Sequence, residues 1–217
     1  MNDGRTPDHN PQQPLRPPQP QRPQRQALRT RDVILIGVYT AVYLVLISIP
    51  AAPAHLIPVL MPFMGLGCGI FGSTAYLLAI TKSRAFGTAT IIGILLALLM
   101  GVIHGNYFTV ATAIVSSIAA DLLARSGGYQ TKGSLIASSG VFNLWTVGMV
   151  LPYMITRQSH LRSLAERYGA DYAQRMANLF PLWMLPVIIV MAFAGGIIGG
   201  WLGYRLLDRH FRRAGLA

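Results

Sequence analysis

Charge is what this sequence has least of. Asp, Glu, Lys and Arg make up 12% of its 217 residues, against about 25% in soluble domains. Only seven of them are acidic. Hydrophobic residues reach 53% and mean hydropathy is +0.46. Such a chain cannot cover a water-facing surface. Cysteine is nearly absent as well. The lone Cys68 excludes an intrachain disulfide, a CxxC metal site and a thiol pair for redox work. HExxH is missing, and Ala137-Ser-Ser-Gly140 is the nearest approach to a GxSG serine-protease element. Asp121 is the one acid near Arg125 and Gly127, which leaves a metal-dependent lipid-headgroup transferase unsupported. The expectation is a protein that is not an enzyme, with no cofactor and no metal ligand assigned.

What the chain does have is long charge-free runs. Residues 33–81, 85–120, 133–156 and 176–204 contain no Asp, Glu, Lys or Arg. A spanning helix needs about 20 apolar residues, so the first two runs hold two helices each and the last two hold one each. The first run has a breaker at Pro50, Pro53 and His55, and the second at Gly101 to Asn106. The expectation is an all-α integral membrane protein with six spanning helices at 33–50, 56–81, 86–103, 107–125, 133–156 and 179–204. Lys82 and Arg84 must lie in a loop, because burying both near a bilayer centre costs roughly 5–7 kcal/mol.

The net charge of +11 is then a topology signal. Fourteen of the 18 basic residues fall on one side of this arrangement. Only Arg157, Arg162, Arg167 and Arg175 fall on the other. The basic side is cytoplasmic, so both termini are expected inside a cell inner or plasma membrane. The lipid bilayer is the partner implied, not nucleic acid.

Three units follow. Residues 1–31 hold seven Pro, six Gln and six Arg, and are expected to be a disordered cytoplasmic tail. Residues 32–207 form the membrane domain, and 208–217 a short basic tail. The external segment 157–178 has Ser163 and Glu166 in capping-box spacing. Leu164, Tyr168, Tyr172 and Met176 there form one apolar stripe. An interfacial amphipathic helix or a lid over an outward-facing site would both read this way.

Nucleotide motifs fail on context. Gly67-Cys-Gly69-Ile-Phe-Gly72 matches GxGxxG but lies in an apolar span without the strand or acid that a dinucleotide site requires. Gly128 to Gly133 has phosphate-loop spacing, with Ser134 where Lys is needed.

Polar groups inside apolar helices face the bundle interior. His104, Asn106, Asn143, Trp145 and Tyr153 are the candidate solute-binding residues, mostly in the outer half of the bundle. Trp183 and Tyr107 fit an interfacial belt equally well. Asp121 and Arg125 are expected to form an i,i+4 ion pair. Small residues recur at four-residue spacing at Gly37 and Ala41, Gly65 and Gly69, Gly93, Ala97 and Gly101, and Gly195, Gly199 and Gly203. Packing within the chain explains most of them. On the first helix, docking of another subunit stays open.

Several of these residues together resemble a family. They are Gly37-Val-Tyr39-Thr40-Ala41; Lys82 before Phe86-Gly87; Ala120-Asp121-Leu122 before Gly127-Gly128-Tyr129 and Lys132; and Phe142-Asn143-Leu144-Trp145, Gly148 and Leu151-Pro152. The chain resembles, over about residues 32–205, the substrate-binding S components of energy-coupling factor (ECF) transporters, in particular the Trep_Strep or MptD group. The resemblance implies a six-helix subunit of an ABC-type importer that binds a small solute near the external face. It implies as partners a transmembrane T component and ATP-binding subunits. It also implies that Gly37 and Ala41 contact the T component. A stand-alone secondary transporter or channel, or a non-catalytic scaffold, is the alternative.

Overall fold

A computed structural model describes residues 30–213. The Pro-rich unit lies outside the described residues except Thr30 and Arg31, which open the first helix. Nine helices occur among the described residues. They are α1 (Thr30–Leu56), α2 (Met64–Ser83), α3 (Thr88–His104), α4 (Tyr107–Ser126), α5 (Lys132–Asn143), α6 (Pro152–Ile155), α7 (Arg157–Tyr168), α8 (Ala170–Leu179) and α9 (Met184–Arg213). Short 3-10 turns at Pro58–Phe63 and Leu144–Met149 complete the described elements.

The bundle closes as a ring in the order α1, α2, α9, α5, α4, α3, with α3 touching α1 again. The spans through α1, α2, α4 and α9 are long and apolar enough to cross a membrane. α3 is apolar but has 17 residues. The spans are not equally covered. The best window through the span Pro58–Ser83, which contains α2, is 61% buried against 22% for α1, so α2 is the central helix and α1 a peripheral one. The outer perimeter carries Ile34, Val38 and Val45 from α1, Leu98 and Val102 from α3, and Val190 from α9, all exposed. That much apolar surface suits lipid and not water.

Glycine sets the helix spacing at the centre. A Cβ on Gly199 would strike the Gly69 carbonyl, and one on Gly195 the Leu66 carbonyl, so α2 and α9 meet backbone to backbone. Gly196 faces the Ser139 carbonyl on α5, while Gly200 faces the Ser139 side chain and Gly93 the Ser117 side chain across α3 and α4. The GxGxxG match is part of this packing. Gly67 lies against Pro50, Gly69 against Gly195 and Gly196, and Gly72 against Tyr43.

Three expected boundaries are corrected. α1 does not break at Pro50 but runs through Pro50 and Pro53 to Leu56. A break there would leave several backbone groups without partners in lipid, whereas a proline removes one donor. The Pro50 ring also finds room against Gly67. The expected span 133–156 is not one helix: α5 stops at Asn143, and the 3-10 turn and α6 follow. The expected capping box at Ser163 does not start a helix, because α7 begins at Arg157 with Thr156 as its cap residue. Glu166 instead meets Arg162 at 3.5 Å. The apolar stripe of 157–178 is divided between two helices at Gly169, whose φ of 91° favours glycine.

Candidate solute site at the broken fifth segment

The break after α5 gathers most of the polar residues expected from the sequence. It is possible because its backbone is satisfied by side chains of α4 and of the residue that caps it. Thr112 donates to the Trp145 carbonyl at 3.1 Å, and Asn106 Nδ2 donates to the Gly148 carbonyl at 3.0 Å. Gly148 has no Cβ to strike Thr112, so the 3-10 turn lies directly on α4. Non-helical backbone at membrane depth is tolerated only when buried in protein in this way. Asn106 also caps α4, because its Oδ1 accepts from the Phe108 N–H at 3.0 Å.

Asn143 is the hub. Its Nδ2 donates to the carbonyl of Gly65 on α2 at 2.8 Å and to that of Ala192 on α9 at 2.6 Å. Both partners are acceptors, so chemistry alone sets the amide orientation. Its Oδ1 is then a buried acceptor with no partner. Thr109 Oγ1 is a second such atom. Buried polar atoms are almost always paired, so an N–H or O–H of a bound solute or water fits Asn143 Oδ1.

Trp145 is fully buried, and its indole N–H donates to Tyr43 Oη at 2.8 Å. Tyr43 packs edge-on to Phe142 at 5.7 Å, and Phe142 stacks on Tyr76 at 4.3 Å. Tyr153 lies in a separate apolar cluster with Val150, Met176, Phe180 and Ile188. Its ring stacks on Phe180 at 4.6 Å and receives the edge of His160 at 4.4 Å. Burial lowers the pKa of His160. Arg157 ties this cap together, donating to the carbonyls of Phe180 at 2.6 Å, Ala177 at 2.7 Å and Tyr153 at 3.3 Å. The α7–α8 pair therefore lies over the Tyr153 end of the break.

His104 is exposed at the end of α3, with the ring of His55 6.0 Å away. The structure thus joins Asn106, Asn143 and Trp145 through one chain break and places Tyr153 under the cap. It sets His104 beside His55. Tyr43, Thr112 and Arg157 were not singled out from sequence. Tyr43 had a signal: it lies on the buried stripe Ile36, Thr40, Tyr43, Ile47 of α1, where a tyrosine hydroxyl must find a partner.

The Asp121–Arg125 ion pair does not form. Asp121 Oδ2 accepts from the Gly87 N–H at 2.8 Å, the Thr90 N–H at 3.2 Å and Thr90 Oγ1 at 2.9 Å. The carboxylate caps α3 from the neighbouring α4, where the helix N-terminus favours negative charge. Arg125 lies over the Phe86 ring, 5.3 Å from its centroid. The turn after α4 holds Tyr129 at a φ of 59°, with its hydroxyl buried and its pKa pushed up to about 12, chiefly by burial.

Gly37 has nothing within 4 Å of where its Cβ would be, and Ala41 is exposed beside it. This small-residue pair, unlike those of α2, α3 and α9, is unused among the described residues.

Long apolar helices, backbone-to-backbone glycine contacts and an apolar perimeter define a helical integral membrane protein. A family described as "Hypothetical bacterial integral membrane protein (Trep_Strep)" matches residues 30–213, and the chain belongs to that family. Comparison with curated proteins and with solved structures returned no match.

Proposed function

We propose that this membrane protein is the substrate-binding S component of an ECF-type importer. It captures a small solute at the external face for uptake driven by ATP-binding partner subunits. The observation that carries the reading is Asn143 Oδ1, an unpaired buried acceptor beside a broken membrane segment with a helical cap at its far end. In this reading the segments of α1, α2 (with its preceding 3-10 turn), α3, α4, α5–α6 and α9 make six crossings. Both termini are cytoplasmic and the α7–α8 cap is external. Asn143 and Trp145 lie at the solute site, Asn106 shapes it, and Tyr153 and His104 sit toward its mouth. Gly37 and Ala41 meet the T component. Their exposure, with room for a partner helix to approach closely, supports that role.

The test is co-expression with a T component and its ATP-binding subunits. Gly37→Leu puts a large side chain into open space, so the isolated protein folds and binds as before. Loss of co-purification and ATP-dependent uptake in this variant is the expected result. Normal assembly of Gly37→Leu removes this face from docking. Failure of the wild-type chain to assemble with any such subunits overturns the transport reading itself.

A further inference from the structure

We infer that His55 and His104 form a binding site for a divalent late-transition metal ion of the zinc, nickel or copper class. The two rings come from the ends of different helices, α1 and α3, and their centroids are 6.0 Å apart with planes inclined by 36°. Two imidazoles bound to one ion through bonds of about 2.0–2.1 Å place their centroids about 5–6 Å apart. The observed spacing needs little movement to admit an ion.

The outer contact of the His55 ring matches this use. His55 Nδ1 is 2.7 Å from the Ala51 carbonyl, one turn back. A carbonyl only accepts, so Nδ1 carries the proton and Nε2 keeps its lone pair. Ligating histidines characteristically give their other N–H to such a carbonyl, which fixes tautomer and ring direction. Both histidines are in the last turn of their helices, where the helix dipole favours positive charge. Both are exposed, so an ion can reach them. Imidazole donors select zinc, nickel and copper over magnesium or calcium.

No group of three or more His, Cys, Asp or Glu able to hold a metal occurs among the described residues. The described residues thus supply two ligands, and the remaining positions are filled by water or by donor atoms of a bound solute. This goes beyond the transport reading and does not require it.

The experiment is calorimetric titration of Zn2+ alone into the full-length protein in nanodiscs, purified with a tag that contains no histidine. Wild type is expected to bind one Zn2+ per chain. His55→Gln and His104→Gln should each weaken binding tenfold or more, and His160→Gln should not. Retained helical circular dichroism shows that the variants are folded. Absent binding in wild type, or unchanged binding in the His55→Gln/His104→Gln double variant, overturns the site. Solute and partner subunits play no part in the titration. Its failure leaves the transport reading standing, and failed assembly with ATP-binding subunits leaves the metal site standing.

Discussion

Trp145 donates its indole N–H to the hydroxyl of Tyr43 across 2.8 Å, joining residues 102 apart in sequence. Tyr43 is on peripheral α1, and Trp145 is in the 3-10 turn that interrupts the fifth segment. The bond therefore fixes the edge of the bundle to its least regular part. Interhelical hydrogen bonds in membranes contribute only about 0.6–1.7 kcal/mol by double-mutant cycle, but leaving one partner buried and unpaired costs about 1–3 kcal/mol. Tyr43→Phe should thus lower the thermal midpoint in detergent by more than the bond itself is worth. A cycle with Trp145→Phe should return a coupling near the smaller figure. A Tyr43→Phe midpoint equal to wild type would show that the indole finds another acceptor.

Asp121 makes a different prediction from the ion pair its spacing suggests. Its Oδ2 serves three donors at the start of α3. Asp121→Ala leaves those part-buried donors without their acceptor, which costs at most about 1–3 kcal/mol. Asp121→Asn retains one acceptor oxygen and should lose less. Arg125→Ala removes a contact with the Phe86 ring and no partner of Asp121, so its effect should be the smallest. Chemical denaturation of the three variants gives the order. Arg125→Ala matching Asp121→Ala would restore the ion-pair interpretation.

How much of this was legible depends on what each feature rests on. α4 begins at Tyr107 as expected, because Asn106 is both a loop residue and a cap. The hub role of Asn143 was legible because a mid-helix amide has no local way to satisfy itself. The break after it was not: hydropathy stays high through Leu144–Met149, and what ends the helix is support from Thr112 and Asn106 on another element. Pro50 misled in the opposite sense, since its effect depends on the absent Cβ of Gly67. Asp121 misled because its partners, Gly87 and Thr90, are distant in sequence. The Ser163 box failed because Arg157 starts α7 earlier, held by the Ala177 and Phe180 carbonyls.

The small-residue stripes separate into two kinds with opposite mutational behaviour. A Cβ on Gly69 would collide with α9 backbone, so Gly69→Leu must spread α2 from α9. Overpacking of this sort costs typically about 1–3 kcal/mol or more. Gly37→Leu meets nothing and replaces a poor helix former with a good one. Its thermal midpoint should be equal to or above that of wild type. If both substitutions destabilise alike, α1 packs within the chain and its face is not free for a partner.

The cap should loosen in acid, and the direction follows from His160. Its ring is half-buried, edge-on to Tyr153 at 4.4 Å, and burial lowers its pKa below the ordinary 6.5. The unfolded or undocked segment then binds more protons than the docked one as pH falls below about 6.5. Stability is complete above that value and declines as pH drops toward the lowered pKa. Arg157 opposes the loosening by holding the Ala177 and Phe180 carbonyls. Three proteins separate the contributions: wild type, His160→Gln and Arg157→Gln. Proteolytic nicking within 157–178 should rise between about pH 7.5 and pH 5.5 in wild type, relative to a soluble peptide standard. It should not rise in His160→Gln, and should be high at both values in Arg157→Gln. A pH dependence that survives in His160→Gln would move the titrating group out of the cap.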